Sequence, residues 1–205
     1  MMKIIVFGAN GKTGEKVVQQ ALNKGMEVTA FVRNEECIKI RSEKLNIIVG
    51  KATQYEDVKN AMDGHDAVIS CIGGPGTKVS TTITDITNNI VNAMKETNVS
   101  RIAQIASAGI HGELTGIIGK IICFMLKNTL NDHKGAFDIL KRSGVTYTVA
   151  RPVSLTEGEL KGEYREKEGG VPNRGMSISR ADVASFLIKA IQDDKYIGKS
   201  VGLAY

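Results

Sequence analysis

The fold is decided by Lys3-Ile4-Ile5-Val6-Phe7-Gly8-Ala9-Asn10-Gly11-Lys12-Thr13-Gly14, near the start of the chain. Its first five residues form a short apolar run, the pattern of a central parallel strand covered on both faces. Gly8, Gly11 and Gly14 then follow with the spacing G-x-x-G-x-x-G. Between a strand and a helix each glycine has a separate task. Gly8 permits the tight turn, Gly11 lets backbone approach a pyrophosphate, and Gly14 lets helix and strand pack closely. From Lys12 to about Asn23, Val17, Val18, Ala21 and Leu22 share one helical face, and Gly25 ends the segment. A helix starting there offers free N–H groups and a positive dipole end to phosphate. Dinucleotide binding through Gly8, Asn10, Gly11, Lys12, Thr13 and Gly14 is therefore expected, against the plainer reading of a turn with convenient glycines.

Outward from this loop the rhythm repeats. Strands are expected at 27–32, 46–49, 67–71, 101–106, 145–150 and 200–203. Helices are expected at 82–97, 113–129 and 133–143, and a last one runs to Ile191 behind Ser179 as N-cap, with Asp182 three residues on. Alternation of this kind implies a Rossmann-type α/β fold, a doubly wound parallel sheet with helices on both faces. The 205 residues fit one domain, 1–205. Substrate-side elements are expected mainly at 107–135 and 152–178. Between 155 and 176 the pattern weakens and Gly, Glu and Lys accumulate, as in a surface excursion or a hairpin around Tyr164.

Composition excludes several classes. Cys37, Cys71 and Cys123 are odd in number and form no C-x-x-C pair, which argues against a disulfide framework or a metal site and for a reducing, cytoplasmic setting. The longest apolar patch, 117–126, is broken by Gly119 and Lys120 and falls far short of the ~20 residues that span a bilayer. The apolar run at the N-terminus is too short for a secretory signal. A net charge of +5 suits an anionic ligand, but the Lys and Arg are scattered, so nucleic acid is not expected as a partner. The partner expected is a small planar substrate, and the chain itself a monomer or weak homo-oligomer.

The end of the second strand bears on the cofactor. A fold selecting NAD places Asp or Glu there, about 20 residues past the loop, for the ribose 2′-hydroxyl. This chain has Phe31-Val32-Arg33-Asn34, with Arg33 nineteen positions beyond Gly14. A guanidinium can hold a 2′-phosphate and stack on adenine, so NADPH is expected, with NAD possible. Glu35 or Glu36 would be the acid if the strand ended later, and Arg33 would then be a solvated charge.

The loop, with Phe31–Asn34, Asp66–Gly74 (DAVISCIGG), Ala106–Gly109 (ASAG), Ile178–Ala184 (ISRADVA) and Ser143–Pro152 (SGVTYTVARP), resembles the atypical short-chain dehydrogenases of the NmrA-like group. It is most similar there to the NADPH-dependent flavin reductase/biliverdin-IXβ reductase family, over nearly the whole length. The resemblance implies that Cys71, Ile72 and Gly73 run along the cofactor near its nicotinamide ribose. It also implies that Ser107 lies beside nicotinamide and substrate, and that Pro152 and Val153 cover the nicotinamide amide. Two positions depart from the family: Gly50-Lys51 where Gly-Asp is usual, and Val153 where the flavin/biliverdin reductases have His.

The usual short-chain dehydrogenase acid is a Tyr-x-x-x-Lys pair on a helix after the fourth strand. Here that string occurs only as Tyr55 to Lys59, after the third strand, and no tyrosine falls between Tyr55 and Tyr147. A flavin or quinone can take its proton from solvent, so the protein need only hold two rings face to face. Ser107 could orient either ring, or satisfy a backbone group. His133, beside Asp132, reads either as an acid in the pocket or as an exposed neighbour of a helix cap; His111 reads as a loop residue near the substrate or at the surface. The apolar stretch 114–126 is either core or one wall of a pocket. The expected activity is an NADPH-dependent reductase of a flavin, quinone or similar planar acceptor, with flavin as substrate and not as a prosthetic group, and with Ser107 and His133 as catalytic candidates. The rival is a non-catalytic NADP-sensing regulator of the NmrA-like type.

Overall fold

The computed structural model describes every residue except Pro75, Thr77 and Thr115, with Ile118 described through its backbone only. In chain order the elements are β1 (Lys3–Phe7), α1 (Lys12–Asn23), β2 (Glu27–Val32), β3 (Leu45–Val49), α2 (Tyr55–Met62), β4 (Ala67–Ser70), α3 (Thr82–Glu96) and β5 (Arg101–Ile105). They continue with α4 (Gly116–Met125), α5 (Lys127–Ser143), β6 (Thr146–Pro152), β7 (Ser154–Thr156), β8 (Arg165–Glu168), β9 (Ser177–Ser179), α6 (Arg180–Gln192) and β10 (Lys199–Ala204).

Ile4 to Phe7 have no exposed surface, because β1 lies in the middle of a sheet covered on both sides. It pairs in parallel with β2, with Ile5 opposite Thr29, and with β4, with Ile5 opposite Val68. The sheet order is β3-β2-β1-β4-β5-β6-β10-β8, and β8 alone runs antiparallel to its neighbour. Alternate residues of β1 feed two cores. Ile4 and Val6 meet Val17 and Val18 of α1 and Phe186 and Leu187 of α6. Ile5 and Phe7 meet Val58 of α2, Ile90 and Met94 of α3, and Leu140 of α5. Each such fully buried side chain stabilises by roughly 1.5–3 kcal/mol. The chain winds outward from β1 through β2 to β3, then returns to the far side at β4. That reversal opens a crevice beyond the carboxyl ends of the strands.

The structure corrects the sequence reading in two regions. The helices expected at 113–129 and 133–143 are α4 and α5, parted near Leu126; Thr115, within the first of these, lies outside the described residues. Asp132 and His133 therefore sit inside α5, not at a helix start. Asp132 caps a different helix. Its Oδ2 accepts from the Ile83 N–H at 3.1 Å and its Oδ1 from the Thr84 N–H at 2.8 Å. These are first-turn donors of α3, which makes no side-chain cap of its own at Thr81. Gly135 makes room for this approach, since a Cβ there would lie 2.5 Å from Thr84 Oγ1.

The second correction concerns 155–176, which forms no hairpin around Tyr164. The segment is a surface excursion that carries one strand of the main sheet: Arg165–Glu168 pairs with β10 at the sheet edge, with Glu166 opposite Leu203. All four of its side chains are exposed, so no alternation marks it as a strand, and its charges protect the open edge. The short strands β7 and β9 form a separate parallel pair, with Leu155 opposite Ile178.

Candidate active site

The glycine loop is shaped by contacts that leave no room for side chains. Gly8 has φ +73°, and a Cβ there would lie 2.8 Å from the Cys71 carbonyl oxygen at the end of β4. A Cβ on Gly14 would lie 2.1 Å from the Gly8 oxygen. Gly11 donates its N–H to the Gly8 oxygen at 3.0 Å and occupies the N-cap position of α1 without a side-chain cap. The first-turn N–H groups of α1 thus keep their capacity for an anion. A cavity of ≈ 680 Å³ runs over Gly8, Asn10 and Gly11, past Val32 and Arg33 after β2, past Lys51 and Thr53 after β3, and over residues 71–74 after β4. Its charged lining among the described residues is Arg33 and Lys51, with no carboxylate. Glu35 and Glu36 lie in a short 3-10 turn capped by the Asn34 side chain and line no part of it. A tight loop at a helix N-terminus and two cations where the strands end fit a phosphorylated dinucleotide. Thr13 is buried in the first turn of α1, and Lys12 reaches away to Glu157, 3.0 Å from its carboxylate.

Along the same sheet edge, beyond β5 and β6, lies a second cavity of ≈ 950 Å³. Ser107 and residues 152–155 form its floor, Leu114, Ile122 and Leu126 one wall, and residues 169–176 the other. The stretch 114–126 is thus the wall of a cavity, while Ile117, Phe124 and Met125 of α4 stay exposed. The Ser107 hydroxyl, half-buried, donates to the Ala108 carbonyl at 3.1 Å. What it offers the cavity is its acceptor oxygen.

Behind this cavity is a charged network that local sequence patterns do not reveal. The Arg151 side chain has no exposed surface, although it sits on β6, whose closing half is otherwise apolar. Its Nε donates to Ser200 Oγ at 2.8 Å, its Nη2 to the Gly170 carbonyl at 2.9 Å, and its Nη1 pairs with Glu113. The other Glu113 oxygen accepts from the His111 N–H at 2.9 Å, and His111 Nε2 meets Ser200 Oγ at 3.1 Å. The loop after β5, strand β10 and the loop after β8 are so tied to one guanidinium. Burial raises the Glu113 pKa, but backbone N–H groups and Arg151 outweigh it and hold the carboxyl below its ordinary value. Burial, then the Arg151 charge, lowers that of His111. The one signal in the sequence was an arginine inside a buried strand; nothing local named its partner.

His133 lines neither cavity. It is buried in α5, its Nδ1 finds no partner, and burial pulls its pKa down to about 4 against the opposing charge of Asp132. Its imidazole is neutral at pH 7. Tyr55 opens α2, where its hydroxyl donates to Glu96 of α3, and Lys59 pairs with the same carboxylate at 2.6 Å. That pair links two helices and lines neither cavity. Cys71 does line the first cavity, but burial pushes its thiol up to about 12, which leaves no thiolate. Among the described residues no group of three His, Cys, Asp or Glu is placed to hold a metal ion.

A family model described as NAD(P)H-binding matches residues 8–194, which include every lining residue given for the two cavities. The chain belongs to the NAD(P)H-binding family. A solved Rossmann-fold NAD(P)-binding family protein from Shigella flexneri is 27% identical, with a TM-score of 0.80 over 99% of this chain and 93% of that one. A short-chain dehydrogenase/reductase from Veillonella parvula, solved in complex with NADP, is 20% identical with a TM-score of 0.85, over 100% of this chain and 94% of that one. ChuY, an anaerobillin reductase from Escherichia coli O157:H7, is 19% identical with a TM-score of 0.80, over 99% and 97%. The last two establish likeness of fold.

Proposed function

We propose that this NAD(P)H-binding protein is an NADPH-dependent reductase of a flavin, quinone or similar planar acceptor, and an atypical short-chain dehydrogenase of the NmrA-like group. One observation carries the reading. The second cavity is lined, among the described residues, by no tyrosine, histidine or cysteine, and its single carboxylate is held ionised against Arg151. Reduction of a carbonyl needs a positioned acid, and the one lysine among the described lining residues, Lys167, is exposed on the edge strand β8 with no group to fix its position. An acceptor that takes its proton from solvent needs only a flat, largely apolar slot beside the cofactor.

In this reading Gly8, Asn10, Gly11, Thr13 and Gly14 seat the pyrophosphate, and Arg33 takes the 2′-phosphate, which favours NADPH over NADH. Lys12 contributes charge beside the loop, and Cys71, Ile72 and Gly73 border the nicotinamide ribose. Bound NADPH supplies the hydride. Pro152, Val153 and Ser107 set the floor on which the two rings meet, and the Ser107 oxygen orients one of them. His133 supports α5 and gives no proton. The unpaired cysteines suit a reducing compartment such as the cytoplasm.

The rival reading, an NADP-sensing regulator, is favoured by one feature: the apolar surface of α4, with Ile117 and Phe124 each 80% exposed, offers a face to a partner protein. One assay separates the two. NADPH oxidation is followed by absorbance against FMN, riboflavin, quinones and biliverdin. Turnover of at least one acceptor, faster with NADPH than NADH, is expected. Tight NADPH binding without oxidation by any acceptor would sink the reductase and leave the regulator.

A further inference from the structure

The second cavity has one apolar wall, Leu114, Ile122 and Leu126, while its opposite side carries positive charge. Lys167, Arg174 and Arg180 all line it. Arg180 is already committed, 2.8 Å from Glu157, which also holds Lys12. The side chains of Lys167 and Arg174, both residues exposed, have no ion pair or hydrogen bond among the described residues. The acids beside Lys167 on β8 and the one in the cavity lining are engaged elsewhere: Glu166 by Lys189 and the Tyr196 hydroxyl, Glu168 by Lys199, and Glu113 by Arg151.

Arg174 is held there at a cost. It stands third in the turn from Pro172 to Gly175, closed by the Gly175 N–H on the Pro172 carbonyl at 3.1 Å. Its φ is +58°, the left-handed region where turns take glycine or asparagine and where a larger side chain is strained. The turn is tied to β8 and packed against β10. Arg165 holds the Asn173 carbonyl at 2.7 Å, and a Cβ on Gly175 would lie 2.3 Å from the Ala204 Cβ. Local structure asks for glycine at 174 and the chain supplies a long cation, with no protein partner, facing a cavity. Strain of this kind gathers at ligand sites. Gly170 leaves room for the Lys167 stem, which a Cβ there would meet at 3.2 Å.

We propose that Arg174 and Lys167 form an oxyanion-binding subsite on the wall of the acceptor cavity, so that the acceptor carries a phosphate or carboxylate on its planar body. This rests on the reductase reading in placing the acceptor in the second cavity. Arg174 offers a planar fork of donors and Lys167 a mobile point charge, and an apolar ring system lies against Ile122, Leu126 and Val153.

FMN and riboflavin share one ring system and differ in a phosphate, so the pair reads the subsite directly. The wild-type enzyme is expected to prefer FMN in kcat/KM by about tenfold, the scale of one or two charge-assisted hydrogen bonds near solvent. Arg174→Gly should erase most of that preference through the KM for FMN, with kcat, riboflavin turnover and NADPH affinity within about twofold, and Arg174→Lys should keep part of it. Because glycine relieves the backbone, Arg174→Gly should melt no lower than wild type, so lost selectivity cannot be laid to unfolding. Equal kcat/KM for both flavins in the wild type overturns the subsite. So does an equal loss for both flavins in Arg174→Gly, or a matching loss of NADPH affinity, which would give Arg174 to the cofactor. If neither flavin is reduced, flavins are removed from the acceptors of the reductase reading, which the quinones and biliverdin of the wider panel then decide. Binding followed by flavin fluorescence then decides the subsite: tighter FMN than riboflavin, lost in Arg174→Gly, supports it, and equal binding refutes it.

Discussion

Replacing His133 by leucine should remove a component of acid sensitivity that can be sized from the structure. The imidazole is buried with an unpartnered Nδ1, and its pKa lies at about 4 in the folded protein. An unfolded chain protonates histidine near ~6.5. As pH falls below that value the unfolded state takes up a proton that the folded state refuses, so folding stability declines. The decline starts near the unfolded pKa and is complete only below the folded one. The separation corresponds to roughly 3 kcal/mol in full, of which roughly 2–3 kcal/mol develops by pH 4.5. Urea unfolding of wild type and His133→Leu at pH 7 and pH 4.5 measures it as a difference of differences. Carboxylates held below their ordinary values, such as Glu113 and Asp182, titrate in both proteins and cancel. Wild type should lose more stability than the variant between the two pH values, and turnover of the variant at pH 7 should persist. Equal pH dependence in the two proteins would mean that the imidazole is not held neutral, and His133 would return as a candidate acid.

Arg33→Ala should weaken NADPH binding by roughly 1.5–3 kcal/mol and leave NADH nearly unchanged by calorimetry; equal losses would remove Arg33 from the 2′-phosphate. Gly14→Ala must displace backbone, since the new Cβ falls 2.1 Å from the Gly8 oxygen, and should cost roughly 1–3 kcal/mol of stability as well as NADPH affinity. A Gly14→Ala protein with wild-type melting and binding would contradict the loop geometry. Tyr55→Phe should keep turnover within about twofold, whereas loss of a true general acid costs about 10²- to 10⁴-fold. Glu113→Ala strands the buried Arg151 guanidinium and should cost about 3–5 kcal/mol at neutral pH. The Glu113 pKa is lowered on folding, so this advantage is present above the ordinary carboxylate range and fades as pH falls through the folded value.

The parts of this fold that local pattern dictates were legible. β1, α1 and β2 have the bounds that apolar runs and glycines set, and Ser179 accepts from the Asp182 N–H as its capping spacing implied. The glycine loop and Arg33 could be aligned on one crevice because strand order follows from connection rules. What escaped the sequence depends on partners far along the chain. Asp132 looked like the cap of its own helix because an acid beside a polar stretch is what such caps look like; its donors are 48 and 49 positions away. β8 was hidden by its charges, which an edge strand tolerates and a pattern search discards. Arg151 and Glu113 meet across 38 positions, and the left-handed turn at Arg174 contradicts the preference that makes turns readable.

The carboxylate of Asp132 has a consequence for exchange of backbone hydrogens. The amides of Ile83 and Thr84 are shielded from solvent by a side chain that belongs to α5, so their exchange reports whether α5 is docked. Thr82 and Ile86, in the same turn and the next, line the first cavity, while α5 follows directly from the helix that walls the second. A ligand that stills α4 and α5 should therefore slow deuterium uptake at Ile83 and Thr84, at the mouth of a crevice it never touches.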